Sequence, residues 1–217
     1  MEDPADNLTD LSVRELNERL ASRQPIPGGG SAAALAGAMG ASLVAMVAEL
    51  TIGRPDAADH VAQLVSLRDD ALAAQRHLLD LAEQDAAAYA AVVEARRLPR
   101  DSDVQRAERG DAMRRTMVVA ADVPLRTARA AAQVLELAET IAPIGKPNAV
   151  SDAGVASLLG AAAVRGAILN VQINLPYLAD DEPLRAQAPG ELITLESRTA
   201  ELESSTAEVV RRRIQPS

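Results

Sequence analysis

The sequence lacks phenylalanine, tryptophan and cysteine altogether, and it contains only two tyrosines, Tyr89 and Tyr177. The absence of cysteine excludes disulfide bonds, thiolate metal sites and a cysteine nucleophile. Lysine is nearly absent too, with Lys146 as the sole example, and the formal net charge is −9. Because binding to phosphates or to anionic membrane surfaces depends on cationic side chains, we expect no nucleic-acid partner and no membrane partner.

The few histidines are poorly placed for metal binding or nucleophilic catalysis. His60 and His77 are too far apart on one predicted helix to share a metal ion, and neither has the serine or aspartate context of a catalytic triad. No glycine-rich dinucleotide-binding pattern follows a strand. We therefore predict no metal site and no nucleotide cofactor.

Residues 1–10 are acidic and contain no apolar run, so they do not predict a secretory signal, and we expect a cytoplasmic protein. Residues 31–48 carry no charge and approach the length of a membrane span. They are mostly alanine and glycine, however, with few large apolar side chains. We interpret this segment as a buried central helix, with a transmembrane helix as the less favoured alternative.

Hydrophobic residues make up 48% of the 217 residues, which is enough for one domain spanning residues 1–217. With so few aromatic residues, the core must consist of alanine, leucine, valine and isoleucine, and short side chains let helices approach closely. No segment shows the two-residue alternation of a strand for long enough to build a sheet.

Helical periodicity and capping signals predict an all-α fold, a bundle of about six helices, some of them very long. Ser12 and Glu15 form a capping box, Asp56 is expected to cap the third helix, and Pro124 should interrupt and kink the fourth. Long helices with small apolar faces need more partners than one chain supplies, so we predict a homodimer packed through its helices. The predicted helices cover residues 12–21, 31–51, 57–97, 101–142, 151–174 and, after a loop at 188–190, the segment up to Arg213.

One loop that opens a predicted helix contains Gly28, Gly29 and Gly30, followed by Ser31 as the natural cap. Glycines let the backbone approach a ligand closely, and a helix start offers free N–H groups to an anion or a polarised carbonyl. A tight turn packed against a neighbour explains the glycines equally well. The pattern is not a P-loop, because no lysine follows the glycines.

A second such loop brings Asn148, Ser151 and Asp152 to a helix opening beside Lys146. The sole lysine would supply the positive charge that an anionic ligand needs on so acidic a protein. Asp152 is also favourable in a first helical turn without any function, because it complements the helix dipole. This structural alternative is slightly favoured.

Polar side chains also occur on apolar helix faces. Asp85 lies on such a face one turn before Tyr89, where burial would raise the pKa of the carboxyl group and let it act as a general acid. A solvated or ion-paired aspartate is the commoner case. Asn170 and Asn174 share one helix face at a spacing of four residues, either as core amides bonded to backbone or as groups that read a heterocycle.

Six segments, taken in order, resemble the sequence pattern of the formiminotetrahydrofolate cyclodeaminase family, which also includes bacterial methenyltetrahydrofolate cyclohydrolases. Each segment is moderately specific alone, but six in the same order across nearly the whole chain are highly specific. The segments are PIPGGGSAAALAGA at 25–38, LTIG at 50–53, DAAAY at 85–89, VPL at 123–125, NAVSDAGVA at 148–156 and NVQINL at 170–175.

The resemblance implies an all-helical, dimeric enzyme that acts on a tetrahydrofolate derivative and needs no cofactor beyond that folate. Members either close 5-formiminotetrahydrofolate to 5,10-methenyltetrahydrofolate with release of ammonia, or open the methenyl bridge with water to give 10-formyltetrahydrofolate. The sequence leaves this choice open. The alternatives are a family member diverted to another formimino or amidine substrate and a non-catalytic helical binding protein.

The resemblance also implies roles for individual residues. Asp85 matches the family's proposed proton donor, and Asn170 and Asn174 would contact the substrate or orient Asp85. Two helix openings would line the pocket, with Gly28, Gly29, Gly30 and Ser31 from one and Asn148, Ser151 and Asp152 from the other.

Arg54 and Lys146 are expected, by the same resemblance, to meet the glutamate tail of the folate. Tyr89 and Tyr177 are the only candidates for an aromatic wall. The chain departs from the family pattern at 53–57, where a basic cluster followed by tyrosine is usual, and at 145–148, where Gly-Asn is frequent. Both departures lie in the segments that contain Arg54 and Lys146, the residues expected to bind the glutamate tail.

Overall fold

The structure is a computed structural model that describes residues 7–215. All regular secondary structure in this range is helical, which confirms the all-α prediction. The six α-helices are α1 Val13–Leu20, α2 Gly29–Thr51, α3 Val61–Arg97, α4 Asp103–Ile141, α5 Val150–Asn174 and α6 Pro183–Ile214. Short 3-10 turns cover Leu8–Asp10, Pro55–His60, Pro147–Ala149 and Leu175–Tyr177.

Helices α2 to α6 form an up-and-down bundle, because each runs antiparallel to the one before it. The start of α2 meets the later part of α3, where Gly30 lies against Asp85, and the middle of α2 meets an earlier part, where Gly37 lies against Leu78. Contacts between the later helices show the same antiparallel order, because a residue further along one helix meets a residue earlier in the next. The contacts are Gln84–Arg126 and Arg96–Arg109 between α3 and α4, Ala120–Asn174 and Leu135–Gly160 between α4 and α5, and Arg165–Glu196 and Gly154–Val210 between α5 and α6.

Small residues bring α2 and α5 into close contact. A Cβ placed on Gly40 would lie 3.0 Å from the carbonyl oxygen of Ala156, so a larger residue could not keep this spacing. Helix α2 meets the length and composition of a membrane span, as does the segment Pro147–Tyr177. In the most apolar window of α2, however, 61% of the residues are buried inside the bundle, which agrees with its interpretation as a central helix.

The core consists of aliphatic side chains, as predicted. The largest fully buried residues are leucines, valines and Ile141, and alanine fills many of the remaining interior positions. Tyr89 and Tyr177 are both exposed. The two aromatic residues of the chain therefore contribute little to the core and remain available for another purpose.

The bundle has two distinct ends. Helix α3 continues from Asp85 to Arg97, which is about 18 Å at 1.5 Å per residue, and with the start of α4 it forms a hairpin that extends past the start of α2. We call this the pocket end. The opposite end carries the end of α2, the loop 143–147 and the start of α5, where the backbone amide of Lys146 donates to Thr51 Oγ1 at 2.8 Å.

Two predicted helix caps are wrong. Helix α2 begins at Gly29 with Gly28 as its N-cap, so Ser31 lies inside the first turn, where its side chain is fully buried. Helix α3 begins only at Val61, after the turn Pro55–His60. Asp56 does not cap α3, because its carboxylate is engaged by the guanidinium of Arg54 at 2.8–2.9 Å.

Prolines interrupt the helices less than predicted. Helix α4 is continuous through Pro124. The predicted loop at 188–190 is wrong, since α6 runs without a break from Pro183 through Pro189 to Ile214. Ala188 and Leu192 are buried against the core on either side of Pro189, and this packing holds the helical path despite the missing backbone hydrogen bond.

Candidate active site

A cavity of about 370 Å³ opens at the pocket end. Its walls come from the segment 25–30 before and at the start of α2, from α3, from α4 and from the end of α5. Eight of the residues singled out in the sequence line it. The eight are Gly28, Gly29, Gly30, Asp85, Tyr89, Asn170, Asn174 and Tyr177.

Asp85 lies directly against the start of α2. A Cβ placed on Gly30 would be 2.1 Å from Asp85 Oδ1, so no side chain fits between the helix start and the carboxylate. The first turn of α2 therefore needs glycine here, and the reason is a close approach to Asp85. The free N–H groups of a helix start favour a nearby negative charge.

Ser31 holds the carboxylate in place from beneath the pocket. Its hydroxyl lies 3.0 Å from Asp85 Oδ2 and 3.0 Å from the carbonyl oxygen of Ala82, and its backbone amide also donates to Asp85. Burial raises the pKa of Asp85 above its ordinary value, and the hydrogen bonds from Ser31 oppose this rise in part. A carboxyl group with a raised pKa is suited to donate a proton near neutral pH.

The Ser31 hydroxyl can form a hydrogen bond with Asp85 in either charge state of the carboxyl group. When Asp85 is ionised, the hydroxyl donates to Asp85 Oδ2. When Asp85 is protonated, the hydroxyl donates to the carbonyl of Ala82 and accepts from the carboxyl group. The carboxyl group thus keeps a hydrogen-bond partner before and after it gives up its proton.

The only two aromatic residues of the chain line this cavity. Tyr89, on α3 one turn after Asp85, is 41% exposed, and Tyr177, just after α5, is 65% exposed. Exposed aromatic side chains at a pocket offer flat faces for a ring system. The sequence indicated both as candidates for an aromatic wall, and the structure brings them to the same cavity as Asp85.

Asn174 is positioned by a proline on another helix. Pro124 has no N–H, so the carbonyl of Ala120, four residues earlier in α4, receives no helical hydrogen bond from it. Asn174 Nδ2 donates to that carbonyl at 2.7 Å and to the carbonyl of Asn170 at 2.9 Å. Both amide protons are thereby used, and the side-chain oxygen of Asn174 remains as an acceptor at the cavity.

Asn170 stands between α5 and the start of α2. Its Nδ2 donates to the carbonyl of Gly166 at 2.8 Å, and a Cβ on Gly29 would lie 3.5 Å from that nitrogen. Among residues 7–215, neither Asn170 nor Asn174 makes a hydrogen bond to Asp85. Ser31 performs the orienting role that was expected of the asparagines, which leaves substrate contact as their predicted role.

Other residues of the cavity were not singled out in the sequence. They include apolar residues that complete the walls and one arginine, and they are Pro25, Ile26, Ala86, Ala88, Val92, Arg96, Met117, Ala120 and Ile173. Helical spacing could have identified Arg96, which lies eleven residues, or three turns, after Asp85 on the same face of α3. The α4 residues gave no comparable signal.

The second predicted helix opening lies at the opposite end. Within one chain, the prediction that Asn148, Ser151 and Asp152 share a pocket with the start of α2 is wrong, because α5 starts beside the end of α2. Asn148 and Ser151 are exposed there. Lys146 and Arg54 lie at the same opposite end, around a separate small cavity.

Similarity to known proteins identifies the chain. Residues 12–189 match the family model described as formiminotransferase-cyclodeaminase. This protein belongs to that family. The resemblance seen in the six sequence segments is thereby confirmed.

Three relatives illustrate the range of the family. The chain is 40% identical to a methenyltetrahydrofolate cyclohydrolase of Methylorubrum extorquens, over 88% of this chain and 89% of that protein. It is 35% identical to a formimidoyltransferase-cyclodeaminase of Mus musculus, over 82% of this chain but only 33% of that longer protein. A crystal structure of formiminotetrahydrofolate cyclodeaminase from Thermotoga maritima superposes with a TM-score of 0.85 at 26% identity, covering 96% of this chain and 100% of that chain.

Proposed function

We propose that this family member is a one-carbon folate enzyme that opens the methenyl bridge of 5,10-methenyltetrahydrofolate with water. The observation that carries the proposal is the half-buried Asp85 carboxyl group, with its raised pKa, in a cavity lined by both aromatic residues of the chain. The 40% identity to a cyclohydrolase of nearly the same extent favours this reaction.

In this mechanism, Asp85 protonates the nitrogen that leaves the bridge carbon. Water adds to the methenyl carbon and forms a tetrahedral centre between the two folate nitrogens. The bond from that carbon to N5 breaks as the carboxyl group transfers its proton to N5, which leaves the formyl group on N10. Of the two protons of the water, one restores the carboxyl group and the other passes to solvent.

Cyclodeamination of 5-formiminotetrahydrofolate is the second candidate, favoured by the close superposition on the cyclodeaminase structure. Here N10 attacks the formimino carbon and its proton passes to the imine nitrogen, so the tetrahedral centre carries an amino group in place of a hydroxyl group. Asp85 would then protonate this amino group, the carbon–nitrogen bond would break to release ammonia, and solvent would restore the proton of the carboxyl group. Both reactions make the same demand on the carboxyl group, so the site geometry suits either.

A direct assay separates these reactions. Purified protein is given methenyltetrahydrofolate, and the loss of its near-ultraviolet absorbance is followed; formiminotetrahydrofolate is tested for a gain of the same absorbance. Turnover of the first substrate alone supports the cyclohydrolase, and turnover of the second supports the cyclodeaminase. Folded protein that turns over neither would contradict the proposal. Activity that survives extensive treatment with chelator is expected, because metal independence is part of the proposal.

We also propose that the protein is a cytoplasmic homodimer. Helices α2 and α5 lie side by side, and each presents a row of exposed or partly exposed apolar side chains. Together these rows form what we call the α2–α5 face. A large uncharged exposed surface on a bundle marks an interaction site, and a two-fold axis lets one such surface bind its own copy. The face comprises Leu35, Met39, Leu43, Met46 and Leu50 of α2 and Val155, Leu158, Ala162, Leu169 and Ile173 of α5.

Light scattering coupled to size-exclusion chromatography tests this dimer. The expected mass is twice that of the 22.7 kDa chain. A Met39→Glu variant places a charge in the middle of the face and should give a monomer, whereas Val104→Glu, at an exposed apolar residue on the hairpin, should remain dimeric. A monomeric wild-type protein would contradict the proposal.

A further inference from the structure

Four side chains on one face of α3 form a straight row that leads from the Asp85 carboxyl group to the mouth of the cavity. Asp85, Tyr89, Val92 and Arg96 are spaced at intervals of four, three and four residues, and all four line the cavity. Eleven residues make three helical turns, so Arg96 lies about 16 Å from Asp85 along the same face. Long helical side chains lean towards the helix N-terminus, which directs the guanidinium back towards Tyr89.

Arg96 has no acidic partner among the residues that the structure describes. Three other arginines of the hairpin are paired with carboxylates at 2.5–2.7 Å, namely Arg97 with Glu94, Arg106 with Asp103 and Arg114 with Asp111. Within residues 7–215, no ion pair involves the Arg96 side chain, and its backbone carbonyl accepts from Arg109. An unpaired guanidinium at a cavity mouth, on a chain of net charge −9, is suited to an anionic group of a ligand.

We propose that Arg96 binds the carboxylate groups of the glutamate tail of the folate substrate. This inference rests on the proposed function. With the bridge carbon at Asp85 and the ring systems beside Tyr89, an extended aminobenzoyl group runs along the row and carries the tail to Arg96. The exposed position of Arg96 leaves the far side of the tail open to solvent.

The other basic residues expected to bind the tail are less suitable within one chain. The Arg54 guanidinium is engaged by both oxygens of Asp56. Lys146 lies at the opposite end, beside the end of α2. Arg96 supplies, from the same helix as Asp85, the one cationic side chain among the described residues that line the cavity.

Paired substrates test the assignment. Steady-state rates are measured for methenyltetrahydrofolate and for methenyltetrahydropteroate, which lacks the glutamate. Arg96→Ala should raise KM for the glutamate-bearing substrate about tenfold, as expected for loss of a partly exposed charge-assisted contact, with kcat unchanged. The same variant should leave the kinetics of the pteroate substrate at the wild-type values. Arg96→Lys should recover part of the loss.

Arg97→Ala is the matched control. This arginine is the next residue on α3, is paired with Glu94 and does not line the cavity, so its removal should change neither substrate's KM. An equal rise in KM for both substrates with Arg96→Ala would overturn the assignment, because Arg96 would then affect the binding of the part that both substrates share and not the glutamate tail. An unchanged KM for both would overturn it as well. A wild-type protein that turns over neither substrate would instead reject the proposed function, and this inference with it.

Discussion

The start of α2 and the start of α5 look alike in the sequence but lie in different surroundings. Each follows a loop that contains proline and glycine, and each carries small polar residues into a helix. The start of α2 faces a half-buried carboxyl group, both tyrosines and a cavity. The start of α5 faces solvent, beside a loop held by Thr51 and by Arg213, which donates to the carbonyls of Ala142 and Gly145.

The difference shows that a helix opening becomes a candidate site through its neighbours. At the pocket end, α3 and α4 continue past the end of the bundle and provide walls for the cavity. At the opposite end, the backbone polar groups of the loop between α4 and α5 are occupied by hydrogen bonds to Thr51 and Arg213. The composition of the two loops does not reveal this distinction, whereas the lengths of the neighbouring helices do.

The largest expected effect comes from Asp85→Asn. Turnover should fall by about 10³-fold, within the range for loss of a general acid. Stability should not fall at neutral pH. The pKa of Asp85 is raised in the folded state, so the wild-type protein loses stability as pH rises from the ordinary aspartate pKa through the raised value. The variant should lack this pH-dependent loss, which denaturant melts across that window would detect.

Matched glycine substitutions at the two ends compare them directly. Gly30→Ala would place a Cβ 2.1 Å from Asp85 Oδ1, and Gly145→Ala would place one 2.6 Å from Val47 Cγ1. Both changes should reduce stability by about 1–3 kcal/mol through overpacking. Only Gly30→Ala should also lower kcat, by about tenfold or more, because it displaces the carboxyl group. Equal kcat for the two folded variants would remove the distinction between the ends.

Replacing a helix-breaking residue should impair the enzyme. Pro124→Ala restores an N–H that competes with Asn174 for the carbonyl of Ala120, which now accepts at 2.7 Å from Asn174. We expect kcat/KM to fall several-fold, up to about tenfold, while the unfolding midpoint stays equal or rises because alanine favours the helix. Asn174→Ala should cause a similar loss, and the double variant should lose little more. Additive losses would show that the proline acts by another route.

Ser31→Ala should change the pH profile more than the maximal rate. The hydrogen bonds from Ser31 lower the pKa of Asp85 against the larger effect of burial. Without the hydroxyl group, the pKa should rise further, so a larger fraction of Asp85 remains protonated at a given alkaline pH. The alkaline limb of the kcat profile should therefore move to higher pH. A shift to lower pH would contradict this account of the site.

Lys146→Ala should have the smallest effect on turnover, below about twofold, because one chain keeps Lys146 at the opposite end. Steady-state kinetics with methenyltetrahydrofolate provide the measurement. A fall in kcat as large as that expected for Gly30→Ala would mean that a second copy of the chain places its own opposite end beside the cavity. The roles predicted for Arg54, Asn148, Ser151 and Asp152 would then apply between copies.

Much of the fold follows from local patterns in the sequence. The capping box at Ser12 and Glu15 is present, and the aliphatic periodicity locates all the long helices. The sequence misses the cap of α2 because Gly28 caps without a side chain. It misses the path through Pro189 because the residues against which Ala188 and Leu192 pack lie on other helices.

The candidate site was predictable in part. Asp85, the glycines and the asparagines form recognisable segments, and they do meet in one cavity. The start of α5 lies at the opposite end from the start of α2, and the order of the helices explains why, although the sequence segments alone do not. In an up-and-down bundle, α2 and α5 are three helices apart and must start at opposite ends. The link between Pro124 and Asn174 could not be predicted, since it depends on the register of α4 against α5.

A crystal structure with 5-formyltetrahydrofolate, an unreactive analogue, tests the central claim most directly, because it shows which end of the bundle binds the folate. We expect the pterin and aminobenzoyl rings beside Tyr89 and Tyr177, and the one-carbon group within about 3 Å of the Asp85 carboxyl group. A folate bound at the start of α5, with the cavity at Asp85 occupied by solvent, would contradict the account.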